Sequence, residues 1–175
     1  MTDEQDWFEQ EEKKKKEDFE KRYFNIKEGD NRVQFLTHMA KLVQVFEGGK
    51  FRTAKEGDEK TSIKGLCYVL QDGLIKEAKM PYTVVKQMHA LRANPDWAFD
   101  AWPMPRIVNI QAIDNGKKFN GRTVLDITVM PSPKLTEVPK EVLEELAKKP
   151  TPEERVEKMR GKDDTKVDEE EETED

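Results

Sequence analysis

The chain has 175 residues, with 39% charged types and only 35% apolar ones. Globular chains average roughly 45–50% apolar, so a single core running the whole length is excluded and a smaller domain with charged extensions is expected. The net charge is −6, and no apolar run approaches the ~20 residues of a membrane helix.

Residues 1–20 contain no apolar segment of a secretory leader. The single cysteine, Cys67, precludes an intrachain disulfide and a cysteine-based metal set. No metal or other cofactor is expected, and a reducing cytoplasm is the expected compartment. The charge divides sharply along the chain. Residues 21–131 hold 18 Lys+Arg and 12 Asp+Glu, a net of +6. Residues 1–20 carry −5 and residues 132–175 carry −7. The centre is therefore electropositive between two acidic ends, and its partners follow from the centre rather than from the total.

Three regions are expected: a charged, partly helical N-terminal arm over 1–21, a folded domain over 22–131, and a C-terminal arm over 132–175. In the first, residues 7–20 are dense in charge and set Glu11 and Glu12 four positions before Lys15 and Lys16, which supports an exposed helix. Trp7, Phe8 and Phe19 are its candidate docking points. From residue 32 the period changes to two: Val33 and Phe35 alternate with Arg32 and Gln34, as in a half-buried strand. Strands over 41–46 and 50–54 flank Gly48-Gly49, a hairpin signal. A second hairpin, 63–70 and 74–79, turns at Asp72-Gly73, a pair suited to positive φ.

Residues 82–91 place Val84, Val85, Met88 and Leu91 on one helical stripe, with Pro81 at the first helical position and Asn94-Pro95 as the stop. An aromatic connector with Trp97, Phe99 and Trp102 follows, read as a cover over one end of the core. Strands over 107–113 and 123–129 are joined by Asp114-Asn115-Gly116 and a basic loop at Lys117, Lys118 and Phe119. Pro131 ends the strands, and short helices over 141–149 and 153–160 carry Val142, Leu143, Leu146, Val156 and Met159. Residues 163–175 are too charged to order themselves.

This order predicts a mainly β fold, an oligonucleotide-binding-type barrel of five strands with one helix between strands three and four. An extra hairpin at 41–54 either extends the first two strands or is an insertion, and helical or disordered charged arms flank the whole. Catalysis finds no support. His38 and His89 lack metal-ligand spacing, Cys67 sits among strand residues, and no phosphate loop, dinucleotide fingerprint or nucleophile elbow occurs. Single-stranded nucleic acid, by contrast, requires cations for phosphates and flat rings for bases. Lys41, Phe46, Lys50, Phe51, Arg52, Lys64, Tyr68 and Lys76 supply these along the hairpins. Lys117, Lys118, Phe119 and Arg122 supply them between the last two strands. Lys64 and Tyr68 share a strand face, being four apart. The acidic end, Asp168, Glu169, Glu170, Glu171, Glu172, Glu174 and Asp175, is a polyanion able to compete for a basic groove.

Taken together, the segments FNIKEGDNRVQFLT (24–37), GLCYVLQDGLIKEAKMPYTVVKQM (65–88), NPDWAFDAWPMP (94–105) and DEEEETED (168–175) resemble phage-encoded single-stranded DNA-binding proteins. The resemblance implies sequence-tolerant cover of exposed strands in DNA replication, recombination or repair, with the acidic end recruiting replication proteins and the N-terminal arm contributing self-association contacts. Some such proteins hold zinc through cysteine and histidine; this chain lacks that set. The alternatives are an RNA-binding barrel and a protein-interaction module, such as an inhibitor or adaptor that imitates DNA.

Overall fold

Alternating apolar residues and short turns make strand the commonest state among the described residues. The computed structural model describes residues 3–47, 50–55, 57–58, 61–119 and 121–165. In chain order these form α1 (Asp3–Arg22), β1 (Tyr23–Phe24), β2 (Gly29–Phe35), β3 (Ala40–Glu47), β4 (Lys50–Thr53), β5 (Thr61–Gln71) and β6 (Leu74–Pro81). There follow α2 (Tyr82–Ala93), β7 (Ile107–Phe119), β8 (Arg122–Pro131), α3 (Lys140–Ala147) and α4 (Pro152–Thr165). The architecture is mainly β, an open mixed sheet of eight strands. Gly48-Gly49 and the acidic end Asp168–Asp175 lie outside the described residues.

The long strand β5 is the spine. One edge pairs with β6; the other pairs with both β2 and β3, all antiparallel. Phe35 faces Val69 and Ala40 faces Leu66, so five steps on one side oppose three on the other. Leu36 N still donates to Tyr68 O across this irregularity. Thus β2 and β3 are one interrupted strand, and the hairpin expected at 41–54 prolongs it, with β4 paired to its far half. The other edge of β2 takes β7, and β7 takes β8. The turn between β5 and β6 has Asp72 at φ 53° and Gly73 at φ 76°, the left-handed pair anticipated for Asp-Gly.

A closed barrel requires the last strand to return to β6, and here it does not. The outer edge of β6 is occupied by β1 in parallel, Tyr23 opposite Glu77 and Phe24 opposite Ala78. Among the described residues β8 pairs only with β7. Helix α2 fills the gap: Gln87 Nε2 donates to Ile127 O and Gln87 Oε1 accepts from Val129 N, both at 2.8 Å. An unpaired buried backbone group costs about 1–3 kcal/mol, and a glutamine amide serves one donor and one acceptor at once.

The main core lies between the inward sheet face and α2. Phe24, Val33, Phe35, Cys67, Val69, Met80, Val108 and Ile110 meet Val84 and Met88 of α2 and Met104 of the connector. Phe99 and Trp102 pack against this cluster, with the Arg92 guanidinium 5.0 and 5.3 Å from their ring centres. The connector is thus the anticipated cover. Pro81 caps α2 one position earlier than expected.

The opposite face of the sheet is also covered. Leu36 and Tyr68 bury with Val142 of α3, while Ala40, Leu42 and Leu66 bury with Val156 and Met159 of α4. The segment anticipated as a charged arm is therefore a second layer, and α4 runs on through Asp163 and Asp164, which were expected to be disordered. A reciprocal cap starts α4: Glu154 N donates to Thr151 Oγ1 at 3.2 Å and Thr151 N donates to Glu154 Oε1 at 3.0 Å.

Candidate nucleic-acid interface

Beyond Ala112, β7 has left β2 behind and pairs with β8 alone, so residues 113–119 and 122–125 project as a two-stranded ribbon. The triplet Asp114-Asn115-Gly116, expected to be the joining turn, is instead a bulge inside β7. The register breaks between Asp114 and Lys118, and Gly116 takes φ 79°. Two side chains hold the kink, Asp114 Oδ1 accepting from Gly116 N and Asn115 Oδ1 from Lys117 N, each at 2.8 Å. Pairing then resumes with Phe119 opposite Arg122. Lys117, Lys118 and Phe119 consequently stand on a strand at the ribbon's end, not in a loop. Phe119 is 71% exposed, and Lys117 and Lys118 are exposed beside it. The Arg122 side chain lies outside the described residues. The outward face nearer the sheet adds exposed Ile113 and Met130.

The β3–β4 hairpin sets Phe46 opposite Phe51. Phe46 and Lys41 are both exposed, whereas the side chains of Lys50 and Phe51 lie outside the described residues. Arg52, expected as an open phosphate ligand, is engaged at both ends of its fork. Its two terminal nitrogens donate to the Asp58 carboxylate at 2.9 and 3.0 Å. That hydrogen bond, followed by one from Lys55 N, lowers the Asp58 pKa from 3.8 to about 2. The folded value lies below the unfolded one, so this stabilisation is complete above pH ~4 and is lost as the pH falls through about 2. An NMR titration of the Asp58 carboxyl should give a midpoint near 2; a midpoint near 3.8 would mean the pair does not persist in solution.

The third group does not form part of an open surface. Lys64 and Tyr68 do share a face, but that face lies beneath α3 and α4. Tyr68 is 5% exposed and its hydroxyl donates to Pro150 O at 2.9 Å. Burial, with the nearby Glu77 charge, pushes its pKa up to about 12. Lys76 is likewise buried and donates to Gln71 Oε1 at 3.0 Å. Neither offers itself to a base or a phosphate. For Tyr68 the reason is apolar demand: Leu36, Leu42 and Leu66 occupy its face, and each is worth about 1.5–3 kcal/mol when removed from water; Lys76, opposite Val69, lies on the other face. Lys64 is half-buried and already engaged.

Cys67 is fully buried, and desolvation pushes its thiol pKa up, so it is a packing residue. His38 Nε2 sits 2.6 Å from Glu153 Oε2 at the start of α4. Among the described residues no helix is long and apolar enough to cross a membrane. No family model, curated protein or solved structure matches the chain.

The structure also gathers cations that the sequence reading passed over. Lys21 and Arg22 at the end of α1 meet Lys149, Arg155 and Lys158 around the α3–α4 turn, in one cleft. These positions are more than a hundred residues apart along the chain, so no local motif marks them. The signal that was available is the apolar spacing of Val142 with Leu146 and of Val156 with Met159, which marks two helices that must dock.

Proposed function

We propose that the protein is a non-enzymatic binder of single-stranded nucleic acid, DNA before RNA, that uses the β7–β8 ribbon as its principal contact. The observation that carries this reading is Phe119, 71% exposed at the ribbon's end beside Lys117 and Lys118. A solvent-exposed ring costs solubility unless it serves a contact, and stacking on a base is the contact that adjacent cations favour. Strand order supports the reading. Taking β2 and β3 as one strand, the path runs to β5, β6, α2, β7 and β8, the order of an oligonucleotide-binding fold. In that fold the connection between the last two strands contacts the ligand, and here it is the ribbon. Phe46 on the β3–β4 hairpin stands at the other ligand connection of the same scheme, with Lys41 further back along β3, opposite Gly65 of β5.

Fluorescence titration with dT and rU oligomers at several salt concentrations tests the proposal. Phe119→Ala should weaken binding by about 1–3 kcal/mol while leaving thermal stability nearly unchanged. A large loss of stability without a binding defect would instead make the ring a packing residue.

The acidic end belongs to this proposal as a competitor for the basic surface and as a recruiting segment for replication proteins. Removing Asp168–Asp175 takes away seven carboxylates and moves the net charge from −6 to +1. The shortened protein should bind oligo-dT more tightly at low salt, and the advantage should fade towards roughly 0.2–0.3 M as screening shortens the range of both attractions. Equal affinity of the two proteins at ~50 mM salt would exclude competition.

A further inference from the structure

The cleft between α1, the β6 edge and the α3–α4 turn has a volume of about 470 Å³. Five cations line it, Lys21, Arg22, Lys149, Arg155 and Lys158, against two carboxylates, Glu77 and Glu145. One carboxylate is already committed: Glu77 holds Arg155 through both of its oxygens. Among the described residues, Lys21, Lys149 and Lys158 have no carboxylate partner. Like charges brought into one recess repel, and the recess focuses their field on whatever anion enters.

The walls are fixed. The Tyr68 hydroxyl pins the α3–α4 turn through Pro150 O. The Tyr23 ring is held between Phe19, 5.0 Å away centre to centre, and the Arg22 guanidinium at 5.4 Å. Ammonium groups spread around a recess of this size suit an ion with several oxygens spaced along it, and a lone carboxylate would leave most of them unmatched.

We propose that this cleft is a phosphate-binding site. It takes linked phosphates, either the backbone of a single strand or the polyphosphate of a free nucleotide. The site is built from elements other than the β7–β8 ribbon, so it goes beyond the contact proposed there.

The test is a titration of full-length protein, and of a chain ending at Val167, with sodium pyrophosphate, ATP and oligo-dT. Amide chemical shifts of residues 21–23 and 149–158 are followed by NMR. Saturable shifts there with any of the three are expected, and the three arms identify the source. Saturation with pyrophosphate or ATP alone marks a nucleotide site; saturation with oligo-dT as well marks a backbone site. Saturation only in the shortened chain also supports the site, with the chain's own acidic end as its competitor. Lys149→Gln with Lys158→Gln should weaken pyrophosphate binding about tenfold or more, because both lost contacts are charge-assisted. With oligo-dT the same pair should lower the slope of log affinity against log salt by about 1.4. Replacing the same two lysines by arginine should retain binding, which controls for damage to the fold. The proposal is overturned if no probe gives saturable shifts at the cleft in either chain, whether oligo-dT shifts nothing or shifts only the ribbon. The latter result would leave the ribbon reading intact. Conversely, pyrophosphate at the cleft with no oligo-dT binding anywhere would sink the ribbon reading alone.

Discussion

A fragment of residues 22–131 should fail to fold, although it carries a net charge of +5 and the whole run from β1 to β8. Without α3 and α4, Leu36, Leu42, Leu66 and Tyr68 return to water, from exposures of 1%, 0%, 0% and 5%. At about 1.5–3 kcal/mol for each side chain, the loss is on the order of 10 kcal/mol. Domains of this size have a total stability of only about 5–15 kcal/mol. The fragment also loses the partner of Glu77 and the acceptor of the Tyr68 hydroxyl, leaving two polar groups to find water. A fragment of residues 22–165, which keeps both helices, is the control. Amide dispersion and a cooperative thermal transition should be present in the longer fragment and absent in the shorter. A 22–131 fragment that melts cooperatively close to the full chain would show that the second layer is dispensable, as charge alone suggested.

That reversal marks where the sequence was legible and where it was not. Period-two alternation at Val33 and Phe35 and turn chemistry at Asp72-Gly73 are local, and both appear where expected. The helix over 82–93 was legible for the same reason: Val84 and Met88 announce a buried stripe, and both are buried. Closure of the sheet was not legible, because it depends on which strand reaches the outer edge of β6. The two-residue β1 wins that edge, and Gln87, an unremarked polar residue within an apolar stripe, pairs with the edge left over. The face of β5 was misread in an instructive way. Tyr68 and Lys64 were weighed as ligand contacts on their chemistry, while Leu66 between them and Leu42 opposite Lys64 already required a cover on that side. The cover lies more than seventy residues further along the chain. Basic and aromatic residues indicate a binding surface only after the apolar residues beside them have been assigned a partner.

Arg155→Met should destabilise the protein by about 3–5 kcal/mol, the penalty of leaving a buried charge without its partner. The side chains of Glu77 and Arg155 are only 8% and 14% exposed, and the guanidinium spans both carboxylate oxygens. Desolvation works against the Arg155 charge, yet the Glu77 hydrogen bond and charge reverse this and raise its pKa, so Arg155 stays charged in the pair. Removing the cation strands Glu77 between β1, to which its strand is paired, and the aromatic wall of Tyr68. The measurement is chemical denaturation of the single variants Arg155→Met and Glu77→Leu and of the double variant. Tyr68, Leu74 and Ile75 line the same cleft as the pair, so apolar side chains at both positions have apolar atoms to meet and the double variant should recover much of the loss. Paired charges of this kind are often replaced by apolar groups with little cost. The coupling between the two sites should therefore be favourable and well above the few tenths of a kcal/mol seen for independent positions. Additive losses would show that the pair is solvated and that α4 is held by Val156 and Met159 alone. A double variant as unstable as Arg155→Met would mean that the charges set the docking angle of α4 on the sheet and that apolar packing cannot substitute for them.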